Sequence, residues 1–223
     1  VDRTENKTPL MMVSADHDPR RAGTIWMLNL DETTPAVTPR VPAEFRRVTP
    51  DLVPALSTIR GHDASAEFAQ RFETGRQCYG AWVEGQPAAF GWVSVEDEEI
   101  GELNLRIKLL PGEVYVWDCA TAPQFRGNGL YGALLAYILN ELRVQQICRA
   151  WIGADLGNVA SQKGIARAGF HHVADLVIER VVAMRQVWVT GLPEVPEAIV
   201  AEARRAFLND RDKVWSNGTK SAT

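Results

Sequence analysis

The sequence predicts a mixed α/β fold, a sheet with helices on both faces. Three observations lead there. The chain has 223 residues, 46% of them hydrophobic, which suits one domain with extensions and a sizeable core. Segments with period-two alternation are interleaved with segments of helical period along most of that length. In the middle, a β-rich run from Val114 to Thr121 passes through Pro123 and an Arg/Gly turn into an apolar helical pattern that begins at Leu130.

The elements follow in order. Residues 1–43 are rich in Asp, Arg, Thr and Pro and read as a mostly extended arm with one short strand in the apolar island Thr24–Leu30, packed on the domain or on a neighbouring subunit. Phe45 to Val48 reads as the first core strand. Asp51–Arg60 and Ser65–Phe72 carry helical spacing, with Thr49 or Asp51 and Ser65 as caps. Tyr79–Glu84 and Ala88–Val95 flank Gly85-Gln86-Pro87 as a hairpin. Glu102 to Leu109 alternates strictly, which puts Leu103, Leu105, Ile107 and Leu109 on one face. Pro111-Gly112 turns the chain into the Val114 strand. Leu130–Arg143 is a helix with a stripe through Leu134, Leu135, Ile138 and Leu142. A strand at Arg149–Ala154, a helix at Val159–Ala168 ended by Gly169, two strands within His171–Thr190 and a helix at Glu197–Phe207 complete the order, and the tail after Asn209 looks frayed.

A strand that empties through a glycine turn into a helix start leaves a cup of unpaired N–H groups at the positive end of a helix dipole, a place that attracts phosphate. A P-loop is excluded, because no Lys follows Gly129. Gly127, Gly129 and Gly132 do satisfy dinucleotide-binding spacing, but an Arg precedes the first of them and the upstream chain supplies hairpins.

Pro123-x-x-Arg126-x-x-Gly129, followed by a helix with paired leucines, resembles the acetyl-CoA signature of the GNAT acyltransferases, Arg/Gln-x-x-Gly-x-Gly/Ala. In that register Tyr131 stands where the last Gly or Ala is expected. A shift of two residues gives Gln124-x-x-Gly127-x-Gly129, a full match with the leucine pair out of step. Asn158-Val159-Ala160-Ser161, leading through Ile165 to Gly169-Phe170, resembles the family's second signature. The resemblance spans about Glu44 to Gly191, so the expected organisation is an arm at 1–43, a domain at 44–191, and a C-terminal helix with a flexible tail at 192–223. It implies a mostly antiparallel sheet with a central splayed parallel strand pair, the strands ending at Thr121 and near Asp155. It also implies acetyl-CoA as the cofactor, with no metal, the pantetheine arm lying between those strands.

Carried over by position, backbone groups of Cys119, Ala120 and Thr121 face the pantetheine, and the amides of Arg126, Gly127, Asn128, Gly129, Leu130, Tyr131 and Gly132 take the diphosphate. Arg126 adds an ion pair or is a solvated turn residue. Asn158 bridges to pantetheine or caps its helix, and Ser161 reaches the ligand or bonds back to its own helix. Many members place a Tyr seven residues after the Asn as acid for the thiolate, and this chain has Ile165 there. Tyr131 and Tyr115 are candidate substitutes, against a packing role. Asp118, a carboxylate inside the run Tyr115–Cys119, is the candidate base; otherwise it accepts backbone or Arg hydrogen bonds as a structural group. The polar strip Glu102, Asn104, Arg106 and Lys108 is a solvated face or lines the acceptor pocket. Trp82, Trp92, Trp117 and Trp151 suit an apolar acceptor or a plain core. His17, His62, His171 and His172 read as surface residues, and Cys119 as a packed thiol.

The implied activity is N-acetyl transfer from acetyl-CoA to a small-molecule or peptide amine by direct attack in a ternary complex. The alternative is a GNAT-fold module that binds acyl-CoA without transfer. A net charge of −4 argues against non-specific nucleic-acid binding. No apolar run approaches the ~20 residues of a membrane span, and Leu10–Val13 is too short for a signal-peptide core. Three scattered cysteines, Cys78, Cys119 and Cys148, fit a cytoplasmic setting. The island around Trp26 suggests an arm exchanged in a homodimer.

Overall fold

The computed structural model describes residues 20–60, 63–100, 105–181 and 184–208. The strands and α-helices, in chain order, are β1 (Arg20–Asn29), β2 (Glu44–Arg47), α1 (Val53–Leu56), α2 (Ser65–Glu73), β3 (Gln77–Val83), β4 (Gln86–Ser94), β5 (Glu98–Ile100) and β6 (Leu105–Ile107). Then come β7 (Glu113–Thr121), α3 (Leu130–Val144), β8 (Arg149–Asp155), α4 (Val159–Arg167), β9 (His171–Val181), β10 (Met184–Gly191) and α5 (Glu197–Phe207). Eight strands form one sheet in the order β10-β9-β1-β8-β7-β4-β3-β2, with β5 and β6 as a separate ribbon. Every pairing is antiparallel except β7 with β8.

Period-two alternation sorts side chains between the sheet's faces. Trp26, Leu28, Val114, Val116, Ala150 and Ile152 pack under α3 and α4, where they meet the Leu134, Leu135 and Ile138 stripe and Ile165. Ile25, Met27, Tyr115 and Trp151 point the other way, toward Phe207 of α5 and Leu105 and Ile107 of β6. On that second face Phe68 of α2 packs edge-on against Phe90 and Trp92. Leu105 and Ile107 share the face their alternation predicts; Leu103, with Glu102 and Asn104, lies outside the described residues. The 51–60 segment is a four-residue α1 between two 3-10 turns rather than one helix, with prolines at residues 50 and 54 in the first turns.

The largest departure from expectation is β1. The apolar island is no short strand in an arm: it is an interior ten-residue strand hydrogen-bonded to both β8 and β9. Trp26 is 8% exposed, its indole N–H donates to Thr24 Oγ1 at 2.8 Å, and its ring stacks on His172 at 4.8 Å. The residues that suggested an exchanged arm are therefore buried in the chain's own sheet. Burial of this apolar surface on both faces, plus two ladders of backbone hydrogen bonds, favours that position over an extended arm. His171 and His172 open β9 rather than lying in a turn; His171 bonds Glu32 at 2.8 Å and His172 bonds Asp175 at 2.9 Å. His17, His62 and the tail beyond residue 208 lie outside the described residues.

Docking of α5 depends on Glu113, whose side chain is 4% exposed. It accepts from Arg205 Nη2 at 2.7 Å, from Arg149 Nη1 at 3.1 Å and from the Leu110 backbone N–H at 3.0 Å. Glu113→Gln leaves Arg149 and Arg205 with only the more exposed Glu202 as a shared anion. The expected cost is about 2 kcal/mol, read as a thermal midpoint lowered by roughly 4–8 °C; an unchanged midpoint would show that the cluster holds nothing together.

Candidate active site

The site begins with a defect in β7. Phe90 pairs with Ala120 and Trp92 with Trp117, so Asp118 and Cys119 together face the single residue Gly91. This is a β-bulge, and Asp118 occupies it at φ +45°, a left-handed conformation that Asp and Asn tolerate better than most residues. Gly91 is required opposite, since a Cβ there would meet the Cys119 Sγ at 2.9 Å. Bulges bend and twist the strand that carries them. Parallel pairing of β7 with β8 runs from Glu113/Arg149 to Val116/Ile152 and stops there, although the strands continue to Thr121 and Asp155. Beyond Val116 the two strands part, which leaves the edges of residues 117–121 and 153–155 facing a gap.

A cavity of about 1010 Å³ fills that gap and passes through the sheet. On the α3/α4 side it is lined by Tyr131, Asn158 and Ser161; on the other face, by Trp117, Asp118, Arg60 and Arg71, across from Leu176, Ile178 and Phe207.

Past the end of β7, Pro123–Phe125 forms a 3-10 turn and Gly129, at φ +74°, is the N-cap of α3, whose Tyr131 lines the cavity. Among the described residues, no acceptor lies on the backbone N–H groups of Gly127 through Gly132; the next one, Ala133, bonds Gly129 at 3.1 Å. Amides at a helix start that find no partner within the protein suit an anion. The loop itself is fixed: Asn128 donates its side-chain N–H to Phe125 O at 3.1 Å, and its carbonyl accepts from the Arg40 backbone N–H at 2.8 Å. Arg126 is exposed and donates Nε to Thr121 O at 3.2 Å, and its backbone N–H, expected in the amide row, instead bonds Pro123 O at 3.3 Å and closes the 3-10 turn. Leu130 is a core residue and Gly132 lies against α4, so their contribution here is backbone.

Tyr131 replaces a small residue without filling the cup, because its ring is turned onto α4. Gly164 makes that possible: a Cβ there would come within 2.4 Å of the ring. The Tyr131 hydroxyl bonds Ser161 Oγ at 3.2 Å. Burial drives the Tyr131 phenol far above its ordinary pKa, an effect that the nearby Cys119 reinforces and the Ser161 hydrogen bond only partly offsets. Asn158 is the N-cap of α4, its Oδ1 accepting from Ser161 N at 3.0 Å. Ile165 is wholly buried in the core. Tyr115 is buried against Phe207, and burial raises its phenol too. Burial likewise pushes the Cys119 thiol up to about 12, which keeps it protonated and non-nucleophilic.

Asp118 is held by partners that sequence reasoning had not named. Its two carboxylate oxygens are engaged by Arg60, from the turn after α1, and by Arg71, from the end of α2. Arg71 also pairs with Glu67 and lies over the Trp117 ring at 4.4 Å. The only signal for this in the sequence was the buried carboxylate itself, which demands a cation. Trp117 is fixed from behind: its indole N–H donates to Ser94 Oγ at 2.8 Å, and Ser94 bonds Glu98, which Arg76 pairs at 2.7 Å. Of the four tryptophans, Trp117 lines the cavity, while Trp82, Trp92 and Trp151 are core residues. Arg106 is exposed and pairs with Asp97. Among the described residues there is no group of three or more His, Cys, Asp or Glu placed to hold a metal, and no helix long and apolar enough to cross a membrane.

The sheet is mixed and splits at its one parallel strand pair, with a bulge on one of those strands and a row of free amides beyond it. The profile of the acetyltransferase (GNAT) family matches residues 45–170, and the chain belongs to that family. Similar folds include an acetyltransferase of the GNAT family from Colwellia psychrerythraea, with TM-score 0.53 and 16% identity over 70% of this chain and 55% of that one. A GCN5-related N-acetyltransferase from Sphaerobacter thermophilus gives TM-score 0.53 and 14% identity over 70% and 50%. The chain thus spans about half the length of these structures. No curated protein sequence matches it significantly.

Proposed function

We propose that the protein is an acetyl-CoA-dependent N-acetyltransferase that brings cofactor and amine together from opposite faces of its sheet. The observation that carries this reading is the row of backbone amides from Gly127 to Gly132, free of acceptors among the described residues, leading into the helix whose Tyr131 lines a cavity between β7 and β8. Those amides, with Arg126 beside them, suit a diphosphate. Beyond Val116 and Ile152 the facing edges of β7 and β8 no longer pair with each other, which offers backbone hydrogen bonds to an amide-bearing arm.

Acetyl-CoA supplies the acetyl group as an activated thioester. A neutral amine nitrogen forms the new C–N bond as the C–S bond breaks; the nitrogen's surplus proton goes to water and the sulfur receives one. In this reading the Tyr131 hydroxyl gives the sulfur its proton and is reprotonated from water. That hydroxyl sits beside Ser161 at the cavity, and its raised pKa keeps it protonated. Asp118 serves to hold the bulge and Arg71 in place, since both its oxygens are taken by guanidinium groups.

Tyr131→Phe should lower kcat by about tenfold to a hundredfold while leaving CoA affinity within about threefold. Because the phenol is acidic only well above its ordinary pKa, wild-type turnover should show no tyrosine-dependent fall below about pH 10. An alkaline fall near pH 8 that disappears in Tyr131→Phe would contradict this assignment. The reading of the chain as a non-catalytic acyl-CoA module draws on Ile165, which is buried where the family signature carries its tyrosine. Calorimetry with coenzyme A and thiol release across an amine panel separate the two: binding without turnover of any amine establishes the module.

A further inference from the structure

Behind the cavity wall that Trp117 shares with Asp118, Arg60 and Arg71 lies a buried carboxylate that the transfer reaction does not use. The side chain of Glu98, at the start of β5, is 4% exposed, and Arg76 clasps both its oxygens, Nε at 2.7 Å and Nη2 at 2.8 Å. Burial works against that charge, yet hydrogen bonds from Arg76 and Ser94 hold the carboxyl below its usual range, so it is ionised at neutral pH. An ionised carboxylate only accepts, so the Ser94 hydroxyl gives its one proton to Glu98. The lone pairs left on Ser94 Oγ then take the Trp117 indole N–H at 2.8 Å. This chain joins the residue before β3 to β4, β5 and β7, and of its four members only Trp117 lines the cavity. The core indole of Trp26 is served by a neutral hydroxyl two residues away. The half-buried indole of Trp117 is served instead by a hydroxyl locked against a buried ion pair, a costlier arrangement than solvating its N–H requires.

We infer that Glu98 is a positioning residue for the amine acceptor: acting through Ser94, it fixes the Trp117 indole in the orientation against which the acceptor's apolar body lies. This rests on the N-acetyltransferase reading given above. Trp117 is the first residue of β7 past its last pair with β8, Val116 with Ile152, so its ring borders the cavity where the strands part. Arg71, itself bonded to Asp118, lies over that ring at 4.4 Å and sets its plane, while Ser94 sets its rotation within the plane. Across the cavity stand Leu176, Ile178 and Phe207. A hydrocarbon or aromatic body between them and Trp117 leaves the amine facing the gap where the thioester would lie. An indole is large and flat, so turning it reshapes this wall. Glu98 and Ser94 touch neither substrate, and the bonds made and broken are those of the transfer itself.

The test uses the full chain with acetyl-CoA and two acceptors: phenethylamine, which has an aromatic body, and methylamine, which has none to lie against Trp117. Ser94→Ala removes the acceptor of the indole N–H and leaves Glu98 paired with Arg76. It should raise KM for phenethylamine about tenfold, with kcat and coenzyme A affinity changed by less than about threefold and a much smaller loss for methylamine. Glu98→Gln, which keeps the shape without the charge, should raise the same KM by a smaller factor. Trp117→Phe should raise it too, and adding Ser94→Ala to Trp117→Phe should change it no further, because the group being positioned is gone. A merely structural loss would add in both backgrounds. Should Ser94→Ala not fold, Glu98→Gln takes its place in the cycle with Trp117→Phe. An unchanged KM, an equal loss for methylamine or additive effects overturn the inference and leave the enzyme assignment standing. If phenethylamine is not acetylated, calorimetry of N-acetylphenethylamine on the CoA-saturated proteins replaces KM. Coupled losses of affinity then support the positioning role; independent losses, no loss, or no binding to the wild type overturn it. Failure of coenzyme A itself to bind removes the underlying reading, and this inference with it.

Discussion

Gly129→Glu is expected to lower coenzyme A affinity by a factor of about a hundred or more while leaving the fold intact. Two effects combine. Gly129 caps α3 at φ +74°, where an L-residue costs about 1–2 kcal/mol, enough to shift the loop whose amides make the cup. The new carboxylate also stands among N–H groups that suit a diphosphate, and like charges a few ångströms apart in a partly dehydrated corner repel strongly. The fold should survive, because a Cβ at this position meets nothing closer than Pro39 Cα at 3.8 Å and Thr38 O at 4.0 Å. Gly129→Ala, which keeps only the conformational cost, should lose about tenfold or less. Calorimetry measures affinity and circular dichroism reports the fold. Wild-type affinity in a folded Gly129→Glu protein would mean that the anion-binding corner lies elsewhere.

Asp118→Ala is expected to destabilise the protein by about 3–5 kcal/mol, because it strands Arg71, whose burial already lowers its own pKa, against Trp92 and Trp117 without its buried anion. The thermal midpoint should fall by roughly 10 °C or more. Asp118→Asn keeps a side chain suited to φ +45° and an oxygen acceptor, so it should lose less stability. The pair also separates two roles. If Asp118 holds the wall, the Asn variant keeps most of its kcat below its own melting temperature, and losses follow stability. A fully folded Asn variant with kcat lowered about a thousandfold would make Asp118 the general base after all.

The alternating runs and the leucine stripe made most strands and all the longer helices legible, because burial on one face imposes its period directly on the residues. The strand, glycine turn and helix start at Val114–Leu135 were equally legible, since an exposed amide cup is a local backbone feature. β1 was misjudged for a physical reason: its apolar residues stand on either side of the strand, and only the presence of β8 and β9 as neighbours turns such a run into an interior strand. Asp118 could be singled out as an anomaly in an apolar run. Which guanidinium groups answer it could not, because Arg60 and Arg71 look like ordinary polar positions on short helical segments.

Local order thus came from the sequence by itself: the succession of strands and helices, the phosphate-type turn and the family signatures all depend on residues within a few turns of one another. Tertiary structure decided the register and everything that follows from it. The bulge opposite Gly91, the parting of β7 from β8 beyond Val116, the turning of Tyr131 into the space left by Gly164 and the convergence of Arg60 and Arg71 on Asp118 join residues far apart in the chain. Such contacts are fixed by packing and by the need to pair buried charge, neither of which leaves a periodic mark on the sequence.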